Sequence, residues 1–468
     1  MPMTSESTDL TVPSTAPREG SLGFAMFATG VTAIGGFLFG YDTAVINGAN
    51  TYLKSHFLLS PVQEGMAGAS AILGCIPGAM FAGFLSDRFG RKKLLFLCAV
   101  LYAVSGILSA VPRTFNEFLV ARFLSGLGIG ASSMVCPVYI AEISPEKWRG
   151  RLGSLFQLGI VTGIFLTLFI NKLIQGLGDE AWNTSVGWRW MLAMEAVPAA
   201  LFIVLLFTVP DSPRWLANHG REAEARDVLA RIGGNQHAER ELLAIQAAMR
   251  EEEGRFSELF TARYLKPLLI AVLLMAGSQF CGINAIIYYS TKIFESAGAL
   301  KNAAFTSTVW VGLVNLLFTF VAIAFVDRAG RRPLLLIGTA VQAVALFLVG
   351  WMFRAQLNGL PLLLCIVAFI ASFAMSIGPV CWILCSEIFP NKVRGRAMSI
   401  ATFVIWSSCY VVAQTFPMLN DSKAIGPVLT FWIYGCVSLL NFIFVLLIVP
   451  ETKGRTLEDI ELSWRKSS

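Results

Sequence analysis

Charge is what this chain has least of: 14% of its 468 residues are Asp, Glu, Lys or Arg, while 55% are hydrophobic. A water-soluble fold of that length cannot bury so much apolar surface, which excludes an ordinary soluble domain and places the chain in a lipid bilayer. Histidine is nearly absent, with only His56, His219 and His237, all in expected loops. The nine cysteines, Cys75, Cys98, Cys281 and Cys436 among them, lie mostly inside apolar runs with neither metal spacing nor a pairing pattern. Cys381 and Cys385 share a helix face, but no histidine joins them. No metal centre, cofactor or disulfide framework is therefore expected. A basic region ahead of an apolar run is also missing near the start: Met1 to Ser21 is polar and rich in Ser and Thr, which argues for a disordered tail rather than a cleaved leader. The net charge of +6 is dispersed over short loops, so nucleic-acid binding is not expected, and no obligate protein partner is evident.

What the chain does have is an internal repeat. Asp87-Arg88-Phe89-Gly90-Arg91-Lys92 returns 240 residues later as Asp327-Arg328-Ala329-Gly330-Arg331-Arg332. The Glu-x6-Arg-Gly-Arg stretch from Glu142 to Arg151 returns 245 residues later from Glu387 to Arg396, and Pro210-Asp211 returns 240 later as Pro450-Glu451. Three pairs in one order between apolar stretches indicate a duplicated unit, as in the parallel repeats of transporters. A spanning helix needs roughly 20 apolar residues. Twelve segments qualify: 23–47, 62–85, 94–111, 117–140, 152–175, 189–209, 267–290, 304–326, 333–352, 361–386, 398–419 and 427–449. The expected fold is an all-α membrane protein with twelve transmembrane helices in two six-helix repeats. Its expected parts are a tail at 1–22, a bundle at 23–210, a linker at 211–266, a bundle at 267–450 and a tail at 451–468. The linker shows helix-compatible spacing at 221–232 and 238–250, and reads either as a plain connector or as a clamp on the signature loops. The signature loops, linker and tails hold 27 of the 36 basic residues, against eight in the alternate loops, which puts both termini in the cytoplasm of a cell-membrane protein.

Ionisable residues inside spans are the informative ones, because a charge at the bilayer centre costs at least several kcal/mol unless paired or hydrated. Asp42 in the first span and Arg122 in the fourth stand out, either as a structural ion pair or as a carboxyl that titrates during transport beside its arginine. Gly40-Tyr41-Asp42 aligns at an offset of 242 with Gly282-Ile283-Asn284, so equivalent helices carry an acid in one half and a neutral amide in the other. That asymmetry suggests an acid for a proton and an amide for an uncharged, hydroxyl-rich solute. Gln157, Gln279, Asn284, Asn315, Tyr288, Trp382 and Trp406 also interrupt apolar spans. Each could be an interhelical bond, but as a set they favour a sugar, because amides bond hydroxyls in either sense and indole faces cover the C–H side of a ring. Gly126-Leu127-Gly128-Ile129-Gly130-Ala131 fits a dinucleotide fingerprint only on paper, since it lies inside an apolar span where small residues let helices approach.

The chain resembles the sugar porters of the major facilitator superfamily from about Gly35 to Leu457. The resemblance rests on Gly40 to Ile46, both Asp-Arg-x-Gly-Arg loops, both Glu-x6-Arg-Gly-Arg loops, Pro210-Asp211-Ser212-Pro213-Arg214, Gly282-Ile283-Asn284 with Tyr288-Tyr289, and Pro450 to Gly454. Phe373 to Ser376 and Gly378 to Trp382 are most similar to bacterial D-xylose-proton symporters. This likeness implies sugar contacts from Gln157, Gln279, Asn284, Asn315 and Trp382, in a pocket shaped by Tyr288, Phe373, Gly378 and Trp406. It implies proton coupling by Asp42 with Arg122. It also implies a salt-bridge lock of the outward-facing state made by Arg88, Glu142, Arg149, Arg151, Arg328, Glu387, Arg394 and Arg396. Ser278, Ile405 and Cys409 stand where relatives often place amides, and Asp211 where they place Glu, so the pocket is less polar and the sugar, pentose or hexose, stays open. The expected activity is proton-coupled monosaccharide import by alternating access, with no enzymatic step. Facilitated sugar or polyol uniport and a non-transporting sugar sensor are the alternatives.

The orientation has a direct test. A single cysteine introduced beside Gly234, at Gln236, should resist a membrane-impermeant maleimide in intact cells and react after permeabilisation; labelling from outside would invert the topology.

Overall fold

The computed structural model of the chain describes residues 20–248 and 256–453. The tail expectations at 1–19 and 454–468, and the end of the second linker helix at 249–250, lie outside the described residues. Every regular element described is helical, and twelve spans are long and apolar enough to cross a membrane. The first five are α1 (Leu22–Phe57), α2 (Pro61–Phe89), α3 (Arg91–Ala110), α4 (Phe115–Ile143) and α5 (Arg149–Gln175). The sixth joins α6 (Glu180–Trp182), a π-turn at Asn183–Gly187, α7 (Trp188–Ala193) and α8 (Ala196–Leu206). Three linker helices follow, α9 (Pro213–Asn218), α10 (Glu222–Gly233) and α11 (Asn235–Ala248). The seventh span is α12 (Ala262–Phe280) with α13 (Ile283–Ser296), then come α14 (Lys301–Ala329) and α15 (Arg331–Arg354). The tenth is α16 (Leu360–Met375) with α17 (Ile377–Glu387), and α18 (Asn391–Asn420) and α19 (Gly426–Leu447) complete the set.

Three spans that read as continuous in the sequence are broken, the sixth among them between α7 and α8. Apolar content runs straight through 267–290, but Gly282 adopts φ 89° between α12 and α13, a left-handed conformation open to glycine, and the ring of Tyr434 packs against it. Between α16 and α17 the break falls at Ser376, whose N–H turns to Phe373 O at 3.2 Å while its hydroxyl donates to Ser372 O at 2.5 Å; Pro379 three residues on brings no N–H to the ladder. Hydropathy cannot register such breaks, because they change backbone direction without changing polarity.

Helix pairs inside the first half close on glycine. A Cβ on Gly126 would lie 1.8 Å from the Ala71 carbonyl oxygen, and one on Gly40 would lie 1.9 Å from that of Ile160. With Gly74, Gly78, Gly130 and Gly163 making similar approaches, α2 packs on α4 and α1 on α5 nearly backbone to backbone. The Gly126 to Ala131 run is therefore a packing surface.

The repeated signatures bond to one another on the face that carries the chain ends. The Asp211 carboxylate accepts from Lys92 N at 3.3 Å at the start of α3, and Glu451 accepts from Arg331 N and Arg332 N at 3.1 Å each at the start of α15. A carboxylate at a helix N-terminus satisfies orphan donors and meets the positive dipole end. Burial alone would raise the Glu451 carboxyl, but the N–H groups of Lys453, Arg331, Arg332 and Thr452 outweigh it and hold its pKa below the ordinary value.

The apolar core divides unequally. At the face away from the chain ends, one cluster mixes both halves, with Tyr41, Val45, Ile46 and Tyr52 packed among Ile283, Tyr288, Phe305 and Phe416. Toward the chain ends the first half has its own cluster, which takes in α9–α11, and the second half has another around Leu268, Leu384 and Val393. The halves are sealed together at the far face and apart at the terminal face.

Gly126→Val should abolish the monodisperse folded species in detergent, whereas Gly83→Val, with no neighbour within 4 Å of the added Cβ, should behave as wild type in size-exclusion chromatography. Equal behaviour of both would disprove the close-packing account.

Candidate functional site

Arg122 and Asp42 meet in the centre of the first half, 2% and 0% exposed. Arg122 Nη1 donates to Asp42 Oδ1, and Nη2 donates to the backbone carbonyl of Asp42 at 3.2 Å. The arginine thus grips α1 through side chain and backbone together. Glu195, 1% exposed in the loosened turn between α7 and α8, lies within electrostatic reach of both. Asp42 Oδ2 and Glu195 Oε1 have no hydrogen-bond partner among the described residues. Sequence reasoning passed over Glu195, although the rule that found Asp42, an acid inside an apolar span, applies to it equally.

The second half of the site is polar but uncharged. Gln279 Nε2 donates to Ser278 Oγ at 3.0 Å, and Asn284 Nδ2 donates to Gln279 Oε1, so the break at Gly282 folds these two amides together. Gln157 on α5 is half-buried and Asn315 on α14 is 7% exposed; their side-chain amides make no hydrogen bond to described residues, yet neither is sealed from solvent. Trp382 on α17 keeps 38% of its surface uncovered, and Trp406 on α18 reaches across to Phe39 of α1 with ring centroids 5.7 Å apart. The Phe373 ring packs against Gly378, where a Cβ would meet it at 3.2 Å. Tyr288, one turn beyond Asn284 on α13, stands within electrostatic reach of Asp42 and Arg122.

Six of the expected lock residues, Arg88, Glu142, Arg149, Arg151, Glu387 and Arg394, make contacts within their own halves in this structure. Glu142 accepts from Arg91 Nε at 2.9 Å and Nη2 at 3.1 Å, and Glu387 from Arg331 Nη2 at 2.9 Å. Thr452 Oγ1 also donates to Glu387 at 2.5 Å. Arg149 donates to Ala141 O and Arg394 to Phe389 O, while Arg88 and Arg151 lie over the rings of Phe89 and Trp148. The Arg328 carbonyl accepts from Lys453, and Arg396 on α18 stands beside Arg394 in sequence. The arginines that hold the two glutamates are those directly after the signature glycines, Arg91 and Arg331, rather than Arg88 and Arg328.

Twelve spans in two equivalent sets, with a buried ion pair in one half and a group of amides in the spans, define a membrane transporter of the major facilitator fold. The chain belongs to the sugar transporter family, whose model, described as sugar (and other) transporter, matches residues 28–464. It is 43% identical over 451 residues to an arabinose-proton symporter of Bacillus subtilis, covering 96% of this chain and 97% of that one. It is 39% identical to a D-xylose-proton symporter of Escherichia coli, covering 93% and 94%. A glucose facilitated diffusion protein of Zymomonas mobilis is 34% identical over 96% of this chain and 99% of its own. Among solved structures, an inward open conformation of the xylose transporter XylE from E. coli superposes with a TM-score of 0.84 at 39% identity, covering 93% of this chain and 99% of that one. XylE bound to 6-bromo-6-deoxy-D-glucose gives 0.79 at 39% identity, covering 94% and 99%.

Removing one partner of a buried ion pair strands the other, at about 3–5 kcal/mol. Arg122→Ala should therefore lower the unfolding midpoint of the purified protein sharply, and adding Asp42→Asn should recover part of the loss. A single variant as stable as wild type would mean that the pair is hydrated.

Proposed function

We propose that the chain imports a monosaccharide together with a proton across the cell membrane by alternating access between its two six-helix halves, 23–210 and 267–450. The observation that carries this reading is the sealed Asp42, Arg122 and Glu195 group set one tyrosine away from the amides of Asn284 and Gln279. One guanidinium there faces two carboxyl groups, Asp42 and Glu195, so the group has room to take up and release a proton. Protonation of Asp42 would release Arg122 and let the loaded carrier reorient; deprotonation toward the cytoplasm would restore the pair. Gln157, Gln279, Asn284 and Asn315 supply donors and acceptors to sugar hydroxyls, while Trp382 and Trp406, with Tyr288, Phe373 and Gly378, shape the apolar walls. The parting of the terminal face, taken as cytoplasmic, matches an inward-facing state. In the outward-facing state the signature loops meet across the halves, and Arg88, Glu142, Arg149, Arg151 and their repeat partners Arg328, Glu387, Arg394 and Arg396 exchange bonds there.

Two measurements test the reading. In proteoliposomes Asp42→Asn should bind sugar and exchange it but lose accumulation, since the electrical part of the proton potential alone, about 2.3 kcal/mol per charge per 100 mV, no longer drives the cycle. Full pH-driven accumulation by that variant would remove Asp42 from coupling, and sugar entry by wild type without internal acidification would make the protein a uniporter. Gln279→Ala and Asn284→Ala should each weaken sugar binding by roughly 5- to 150-fold, the equivalent of about 1–3 kcal/mol for unpaired hydroxyls; unchanged affinity in both would move the pocket elsewhere.

A further inference from the structure

Four charges meet across the halves at the sealed face. Lys54 ends α1 and Glu64 begins α2 in the first half; Lys292 lies on α13 and Asp421 follows α18 in the second. Lys54 Nζ lies 3.0 Å from Glu64 and 3.1 Å from Asp421, and Lys292 Nζ lies 2.8 Å from Glu64 and 2.9 Å from Asp421. The charges alternate around a closed ring. Glu64 is 1% exposed and fixed further by Asn50 Nδ2 at 3.1 Å, while Asn420 Nδ2 donates to Asp421 at 3.0 Å.

The ring contains two kinds of contact. Lys54–Glu64 and Lys292–Asp421 lie within a half; Lys54–Asp421 and Lys292–Glu64 cross between halves. When the halves part at this face, only the crossing contacts break. Each half leaves with a lysine and an acid still paired, so no charge is stranded, and the heavy cost of orphaning a buried ion does not arise. The arrangement therefore favours closure by a modest, reversible amount, suited to a carrier that must open this face in every cycle.

We propose that Lys54, Glu64, Lys292 and Asp421 form an electrostatic latch on the outer face that sets the balance between its closed and open states. The latch rests on the alternating-access reading for its place in the cycle, but face opening is measurable without sugar or protons. Spin labels at Ser55 and Ala424, exposed positions on opposite halves, report the opening as a distance distribution in a Cys436→Ser background. The decisive variant combines Lys292→Glu with Asp421→Lys, which keeps the pair inside each half but turns both crossing contacts into like-charge contacts. It should raise the open population roughly five- to tenfold. Adding Lys54→Glu and Glu64→Lys restores attraction everywhere and should return the wild-type distribution. An unchanged distribution in the double variant, or no restoration in the quadruple one, overturns the latch. Raising salt tests it with the native ring intact: the open fraction should grow in wild type and stay constant in the Lys54→Gln, Glu64→Gln, Lys292→Gln, Asp421→Asn protein. A flat response in wild type also overturns it. Transport assays decide the function reading separately, since a uniporter would give the same label distances.

Discussion

An arginine cannot lie in the middle of a bilayer without an anion against it, and much of the first half is arranged around that requirement. Arg122 reaches from α4 to both the side chain and the backbone of Asp42, which fixes the rotation of α1. With α1 set, Tyr41 faces the core and donates to Met191 O at 3.2 Å, Phe39 meets Trp406, and Asn47 bonds the Ile287 carbonyl and Ser290 at 2.5 and 2.7 Å on α13. The same helix therefore carries the ion pair, one wall of the proposed pocket and the clasp on the opposite half. A change in the charge of Asp42 acts at the one place where all three would feel it.

The repeated signatures form one device built twice. In each half a helix opens at the glycine of the Asp-Arg-x-Gly-Arg loop, an acid after the sixth or twelfth span caps that helix, and the last arginine of the loop holds the glutamate of the Glu-x6-Arg-Gly-Arg stretch. Three motifs that look independent along the chain are thus one hydrogen-bonded corner. The duplication is retained at the corner and abandoned in the centre, where Asp42 in one half answers to Asn284 in the other.

Periodic and compositional features were legible in the sequence; features of backbone direction and side-chain choice were not. Twelve spans, the duplication and the buried position of Asp42 and Arg122 follow from hydropathy and from the cost of charge in lipid. The break at Gly282, which brings Gln279 against Asn284, leaves no trace in polarity. Glu195 was legible by the same rule as Asp42, since it lies inside the expected 189–209 span and near the middle of the sixth span as it folds. The signature arginines could not be ranked, because four cations lie within a few residues and only the packed corner shows that Arg91 and Arg331 turn inward. Assignment of individual sugar-contacting residues rested on family resemblance together with the count of amides.

The two faces of the molecule are closed by different materials. The far face is joined by a shared cluster of aliphatic and aromatic side chains, whereas the face bearing the signature loops offers mostly ionic groups. Burying hydrocarbon lowers heat capacity, and its contribution to stability fades on cooling. The two end states of the carrier consequently differ in heat capacity, so the equilibrium between them curves with temperature, and warmth from the cold side draws the resting protein toward the state seen here.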